Sequence, residues 1–518
     1  MKRALLIAAL LLATHAYAQD PWDTATRNGD AARTAFLDCW RFTQGWLQTT
    51  DPATGLIPRN LKDSPYWNAK DSAADNYPFL VLATWFTDRA TFEGPARRML
   101  DTEQRICNRV DRLPDDWFFP TQSFRNKDVK MPELIFGASE YIKDGLLPLT
   151  EWMGQSPWSD RMIGLMDDIW KHAEVDSEVG KVPAKDHEVA GDLMQGLSRL
   201  YWFTGNERYR DQAFQLAEYY FAYHSPVEVD KLQLDDHGCE VIGGLSEVYF
   251  IAAQKDPERK QRWQPAMHKI LDRILEVGRD ETGLLYNKIN PLTGEILSDD
   301  RTDNWGYNYN AFLSVDQLDN VPAYREAVQH VLKNLPANKD YPWEGRSSDG
   351  YADSLEGCIN LMNRVPTPEA AEWADYTAKL MFAIQRDTGV IEGWHGDGNF
   401  ARTALMYALW KTQGTHLEPW RADLRLGATR ADDGTVYFVV TSDWPWEGRL
   451  RFDIPRHSEQ LHIPADYPRL NQFPEWFTVP TDGTYTTNDG EITAAALRNG
   501  IPLRITKETP YRLTLKRK

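Results

Sequence analysis

Arg301, Asn304, Tyr307 and Asn308 fall within one short stretch, "RTDNWGYN", at the apparent start of a helix, with Trp305 among them. A guanidinium beside a phenol can lower its pKa from about 10 towards a value at which it can take a proton. Neighbouring amides can hold a carboxylate or a hydroxyl. Three of the chain's eleven His, His187, His237 and His395, stand at comparable places, each at the start of another helix. Glu188 and Glu240 lie beside two of them, and Arg402, Trp343 and Trp394 occur in or just before similar starts. Two chemistries fit such a set. One is β-elimination on a uronic acid: its carboxylate is neutralised, the C5 proton is removed, and a Tyr or His acts as acid and base. The other is hydrolysis by paired carboxyl groups, for which Asp75, Glu188, Asp192, Asp236, Glu240, Asp303, Asp353, Glu356 and Asp397 are candidates.

These residues must be brought together by elements far apart in the chain. Helical periodicity runs from about 28 to 415 and comes in pairs. Amphipathic helices are predicted at about 28–48, 92–109, 158–172, 206–223, 257–277, 322–334 and 368–386. Each is followed by a more apolar, small-residue helix at about 73–87, 131–148, 188–203, 238–253, 304–317, 351–363 and 399–412. Polar-faced outer helices around apolar inner ones indicate an (α/α)7 toroid, with (α/α)6 as the alternative. Turns from inner to outer helices are short. The return loops are long and carry the related phrases "ATGLIPR", "ETGLLYN" and "DTGVIEG". Long loops on one side of a barrel usually build its binding face, here the face where the inner helices begin. After Trp420 the pattern alternates, as in "TVYFVVTSD" and "GRLRFDIP", and residues 421–518 are expected to form an antiparallel β-sandwich. Residues 19–420 make the toroid domain.

Asp and Asn at helix starts have a plain role as caps, worth about 1 kcal/mol each, and any one of them is better explained so. Capping does not explain His, Arg, Tyr and Trp gathered at the same mouths. No HExxH, phosphate-binding loop, dinucleotide fingerprint or GxSxG elbow occurs, so no cofactor or metal is expected.

Composition narrows the partners. A formal net charge of −18 argues against nucleic acid. Twenty Trp and twenty-two Tyr suit stacking on sugar faces. Lys2 and Arg3, the apolar run "ALLIAALLLA" and "AYA" read as a secretory signal peptide over residues 1–18, cleaved between Ala18 and Gln19, with export to the periplasm or beyond. No later run is apolar enough to insert into a membrane. The four cysteines are expected to be buried thiols, with Cys39–Cys107 the pair that an oxidising compartment could close.

The helical region resembles secreted (α/α)-toroid polysaccharide lyases, especially polysaccharide lyase family 38, which acts on glucuronan and alginate-type uronans. The resemblance rests on the seven hairpins, "HEVAGDLMQGLSRLYWFTG", "DHGCEVIGGL" and the spacing of Arg301 and Tyr307. It implies Tyr307 as acid/base, assisted by Arg301 and His237, with Glu188, Glu240 or Asn308 at the substrate carboxylate. From the residues themselves, His187 is the alternative to His237 as a further catalytic group. Asn304, Trp305, Trp343, Trp394, His395 and Arg402 are the further substrate contacts expected on the rim. The C-terminal β-domain departs from that family. The alternative is a hydrolase resembling the unsaturated glucuronyl and rhamnogalacturonyl hydrolases, using rim Asp and Glu, and a third reading is a glycan-binding protein without catalysis. An oligosaccharide or polysaccharide is the expected partner in every case.

Overall fold

The structure is a computed structural model that describes residues 20–63, 65–507 and 509–518; the expected signal peptide lies outside them. Seven inner helices occupy 69–87, 131–153, His187–Thr204, Glu240–Lys255, Trp305–Asp319, Ser348–Arg364 and Asn399–Lys411. Seven outer helices precede them at Pro21–Leu47, 89–106, Pro157–Lys171, 207–223, Pro257–Val277, Pro322–Asn334 and Pro368–Phe382. Neighbouring inner helices pack on each other, and the seventh packs back on the first, so the ring closes. No helix among the described residues is long and apolar enough to cross a membrane.

Local chemistry sets the direction of each hairpin. Several outer helices begin with Pro, whose missing N–H costs nothing there, behind caps such as Asp20, Ser156 and Asp256. Inner helices stop abruptly, for example at Gly205, which takes φ +68°. The returning loops are long enough to add small antiparallel sheets, the largest pairing Tyr286–Asn290 with Glu295–Arg301.

A sandwich of two antiparallel sheets follows. Arg425–Arg430, Val436–Thr441, Tyr511–Arg517, Thr484–Thr487 and Gly490–Thr493 lie side by side in one. Ile501–Ile505, Trp446–Arg451 and His416–Glu418 form the other, and a separate apolar core lies between them. The first outer helix begins at Pro21, earlier than its amphipathic pattern shows. Its added turns dock on the sandwich, where a Cβ on Gly427 would fall 1.9 Å from the Ala25 carbonyl. Two backbones touching at glycines leave no apolar stripe to read.

The chain between the strands Trp446–Arg451 and Thr484–Thr487, at about 455–476, leaves the sandwich and enters the toroid as a plug from the end opposite the inner-helix starts. Leu461, Ile463, Tyr467 and Phe473 join the toroid's core, not the sandwich's. Arg469 lies on Glu151, both fully buried, and the Tyr467 hydroxyl donates to Glu247 at 2.8 Å. Arg199 donates to the Leu470 carbonyl at 2.7 Å, and Ser314 to that of Pro468 at 3.1 Å. All four cysteines are free and buried. Cys39 turns its thiol to the Ala401 carbonyl at 3.6 Å, so the Cys39–Cys107 bridge is not formed.

Removing one partner of a dry ion pair strands the other charge, at a cost of about 3–5 kcal/mol. Arg469→Ala should therefore lower unfolding free energy by that order in urea titrations. A loss below about 1 kcal/mol, the range of exposed pairs, would show that the plug is not held this way.

Candidate active site

A cavity of about 160 Å³ opens where the inner helices begin. The first inner helix supplies Lys70, Asp71 and Asp75, and the second Phe136, Glu140, Lys143 and Asp144. Both carry widened, π-type turns, over Ala69–Asn76 and Tyr141–Leu146, which turn extra polar residues inward. The two helices approach closely at Gly145, where a Cβ would meet Pro78 at 2.5 Å. Asp236, His237 and Glu240 come from the fourth helix and its approach, Tyr307 from the fifth, Asp349 and Asp353 from the sixth, and Asn399 and Arg402 from the seventh. Trp394 and His395 close the side, and Leu470 of the plug forms part of the floor. Larger clefts of about 410 and 490 Å³ flank the cavity, one sharing Lys70, Phe136 and Trp394 with it, the other Asp236, Asp349 and Asp353.

Electrostatics separate the carboxyl groups. Burial, with the charges of Asp144, Asp71 and Asp349, holds the Asp75 carboxyl well above the usual carboxylate range. Its oxygen lies 3.6 Å from His395. Asp144 is buried too, but Lys143 at 3.1 Å and hydrogen bonds, including one from Asn471, keep it below that range. Lys143 is also shared by Glu240 at 3.2 Å, Asp192 at 3.6 Å and Glu140 at 3.8 Å. Burial pushes Asp192 up to about 7 and Glu140 well above its ordinary value.

A second network lies across the cavity. Arg402 reaches Asp353 at 2.5 Å, Glu356 at 2.7 Å and the Tyr307 hydroxyl at 3.0 Å. Tyr307 donates to Glu356 at 2.8 Å. Burial, with Asp353 and Glu356, raises the phenol's pKa well above its ordinary value, against the pull of Arg402. His237 stands 2.7 Å from Glu188 and 3.3 Å from Asp236. Burial opposes its charge, yet the two carboxylates push its pKa up to about 10. Among the described residues, three groups have ligand atoms within 4.8 Å of one another and could hold a cation: Asp71, Asp75 and His395; Glu140, Glu188 and His237; and Asp236, Cys239 and Glu240.

Of the residues singled out in the sequence, Asp75, Asp236, His237, Glu240, Tyr307, Asp353, Trp394, His395 and Arg402 line the cavity, and Glu188 reaches it through His237. Trp394 is 81% exposed at the rim. Arg301 does not accompany Tyr307: it pairs with Asp280 at 2.9 Å, stacks on Tyr341 and faces a flanking cleft. The side chain beside the phenol is Arg402. His187 stands outside the cavity with its ring edge-on to Tyr220. Trp305 and Trp343 are fully buried; Trp305 donates to Ser354 and Trp343 packs edge-on to Trp373. Asn308 is spent on the Leu234 carbonyl, and Asn304 on Asp353. These four are packing and support residues, because a residue at a helix mouth can point into the wall as readily as into the opening.

Asp71, Glu140, Lys143, Asp144, Asp349, Asn399 and Asn471 were not legible as site residues. One signal was available: Glu140, Lys143 and Asp144 interrupt the otherwise apolar "ASEYIKDGLL", and buried charges need partners.

No protein-family model matches the chain, and no curated protein matches its sequence. Among solved structures it is similar to the GH76A alpha-1,6-mannanase of Salegentibacter sp. HEL1_6, at 14% identity and TM-score 0.41, over 74% of this chain and 98% of that one. It is similar to an unsaturated glucuronyl hydrolase of Bacillus sp. GL1, at 15% identity and TM-score 0.36, over 55% and 86%. A cellobiose 2-epimerase of Bacillus thermoamylovorans B4167 gives 11% and 0.39, over 54% and 86%. At these values the likenesses assign no activity.

Replacing Arg402 by Met leaves Asp353 and Glu356 without their cation. In the parent, burial already pushes them to about 7 and about 6 despite Arg402. Their folded pKa values then rise further above the unfolded ones, so the folded state binds more protons and its stability grows as pH falls. Arg402→Met should cost about 3–5 kcal/mol at pH 7 and regain part of it at pH 5. Urea unfolding at both pH values checks this, and a pH-independent deficit would contradict it.

Proposed function

We propose that the protein is a glycoside hydrolase, with Asp75 as the proton donor and Asp144 as the ionised carboxylate that faces the anomeric carbon. The observation that carries this reading is the opposed shift of two cavity carboxyls on adjoining helices. Asp75 is kept protonated, and Asp144 is kept charged. Environments that push a carboxyl pair apart divide the roles of acid and base at neutral pH.

In the proposed reaction the glycosidic C–O bond breaks as Asp75 transfers its proton to the leaving oxygen. Positive charge grows on the anomeric carbon, where the Asp144 carboxylate stabilises it. Water then supplies hydroxyl to that carbon, and the proton it loses restores Asp75. Eight carboxyl residues line the cavity (Asp71, Asp75, Glu140, Asp144, Asp236, Glu240, Asp349 and Asp353), against the cations Lys70, Lys143 and Arg402 and two histidines. That balance favours a neutral glycan over a polyuronate. The flanking clefts suit further sugar units, and exposed Trp394 offers them a stacking face. Export through the signal sequence would bring the enzyme to such a substrate.

β-Elimination remains the second reading, because Tyr307, His237 and Arg402 line the same cavity. It asks Tyr307 to give up a proton that its surroundings hold tightly.

Neutral and uronic glycans incubated with the protein separate the readings. Hydrolysis gives reducing ends without new ultraviolet absorbance, whereas elimination gives an absorbing unsaturated product. Asp75→Asn and Asp144→Asn should each lower kcat by about 100- to 10,000-fold or more, with Tyr307→Phe far milder. Near-normal turnover in either amide variant, or an unsaturated product abolished by Tyr307→Phe, would sink the hydrolase assignment.

A further inference from the structure

We propose that Asn471, carried by the β-domain's plug, is a positioning residue that hydrogen-bonds Asp144 and fixes Arg402 across the cavity floor. This rests on the hydrolase reading for the role of Asp144. Asn471 is fully buried, with φ +58°, a backbone region that Asn tolerates better than other non-glycine residues.

Its backbone N–H and both polar atoms of its side chain are engaged, with three different inner helices. The backbone N–H donates to Glu356 Oε1 at 3.0 Å. The side-chain Nδ2 donates to Asp144 Oδ1 at 3.0 Å and to the Lys143 carbonyl at 3.3 Å. Oδ1 accepts from Arg402 Nη1 at 2.9 Å. A carboxylate on one side and a guanidinium on the other demand a donor and an acceptor on one short side chain, which also fixes the amide's orientation. Asp could accept from Arg402 but would set a second negative charge against Asp144. Ala would satisfy neither neighbour. The amide is therefore suited to both charges at once, and it links them: Asp144 of the second helix and Arg402 of the seventh are fixed relative to each other through a residue of neither.

The inference concerns proton affinity, so its test reads one. Donation from Nδ2 stabilises the Asp144 carboxylate; a like charge in its place raises that pKa. In Asn471→Asp, the acid limb of the kcat/KM–pH profile should move up by about one pH unit, with turnover recovering towards alkaline pH. Asn471→Gly keeps the backbone conformation, removes the donor, and should shift the limb in the same direction by less. It also serves if the Asp variant does not fold. A role confined to stability would lower Tm or scale activity equally at every pH. An unmoved acid limb in whichever of these variants folds overturns the inference. Asp144→Asn, measured alongside, keeps the two proposals apart. If it is inactive while the limb stays fixed, only the role of Asn471 falls. If it is active, the hydrolase reading falls and the role of Asn471 falls with it.

Discussion

Seven inner helices cannot meet on a common axis. Cylinders about 10 Å across, set side by side in a ring of seven, leave a central space roughly 13 Å wide, which protein interiors do not tolerate empty. Here the space is divided by depth. One end stays open as the acidic cavity, and the other is filled by residues 455–476 of the β-domain. The filling is partly polar, with Arg469 on Glu151 and Tyr467 on Glu247, and partly apolar, with Tyr467 stacked on Phe250 at 4.2 Å. A polar plug is costly unless every charge meets its partner, and that demand fixes how far the segment can enter and in which register. Its tip therefore reaches the cavity floor at a defined place, with Leu470 and Asn471 beneath the mouth.

The same economy of charge governs the mouth. Lys143 is surrounded by Glu140, Asp144, Asp192 and Glu240, while Arg402 is shared by Asp353 and Glu356. Two buried cations cannot neutralise so many carboxyl groups, so some of them must keep their protons. Which ones do is decided by access to those cations: Asp144 touches Lys143 and ionises readily, whereas Asp75 faces Asp144 and Asp71 and does not. Acid and base character thus arise from the distribution of too few positive charges, and no unusual residue type is needed. The β-domain takes part in that distribution through one amide, although its sheets lie away from the cavity.

The repeat of amphipathic and apolar helices, the seven hairpins, the placement of the long loops and the terminal β-sandwich were all determined by periodicity and turn chemistry, which act over a few residues and are visible in the chain itself. The convergence of His237, Tyr307, His395 and Arg402 followed from that repeat, since equivalent positions on successive hairpins share one face. What each mouth residue touches did not follow. Trp305 and Trp343 entered the wall, Arg301 turned to Asp280, and Arg402 took the place beside Tyr307. Rotation of a helix about its own axis is set by packing against two neighbours, so an inward or outward side chain is a property of the closed ring. The plug was equally hidden, because a segment of the β-domain shows its destination only through partners some hundreds of residues earlier. Local sequence determined the elements and their order; the proton affinities of the cavity and the floor beneath it were decided by tertiary structure, through distances between charges that no single stretch of chain contains.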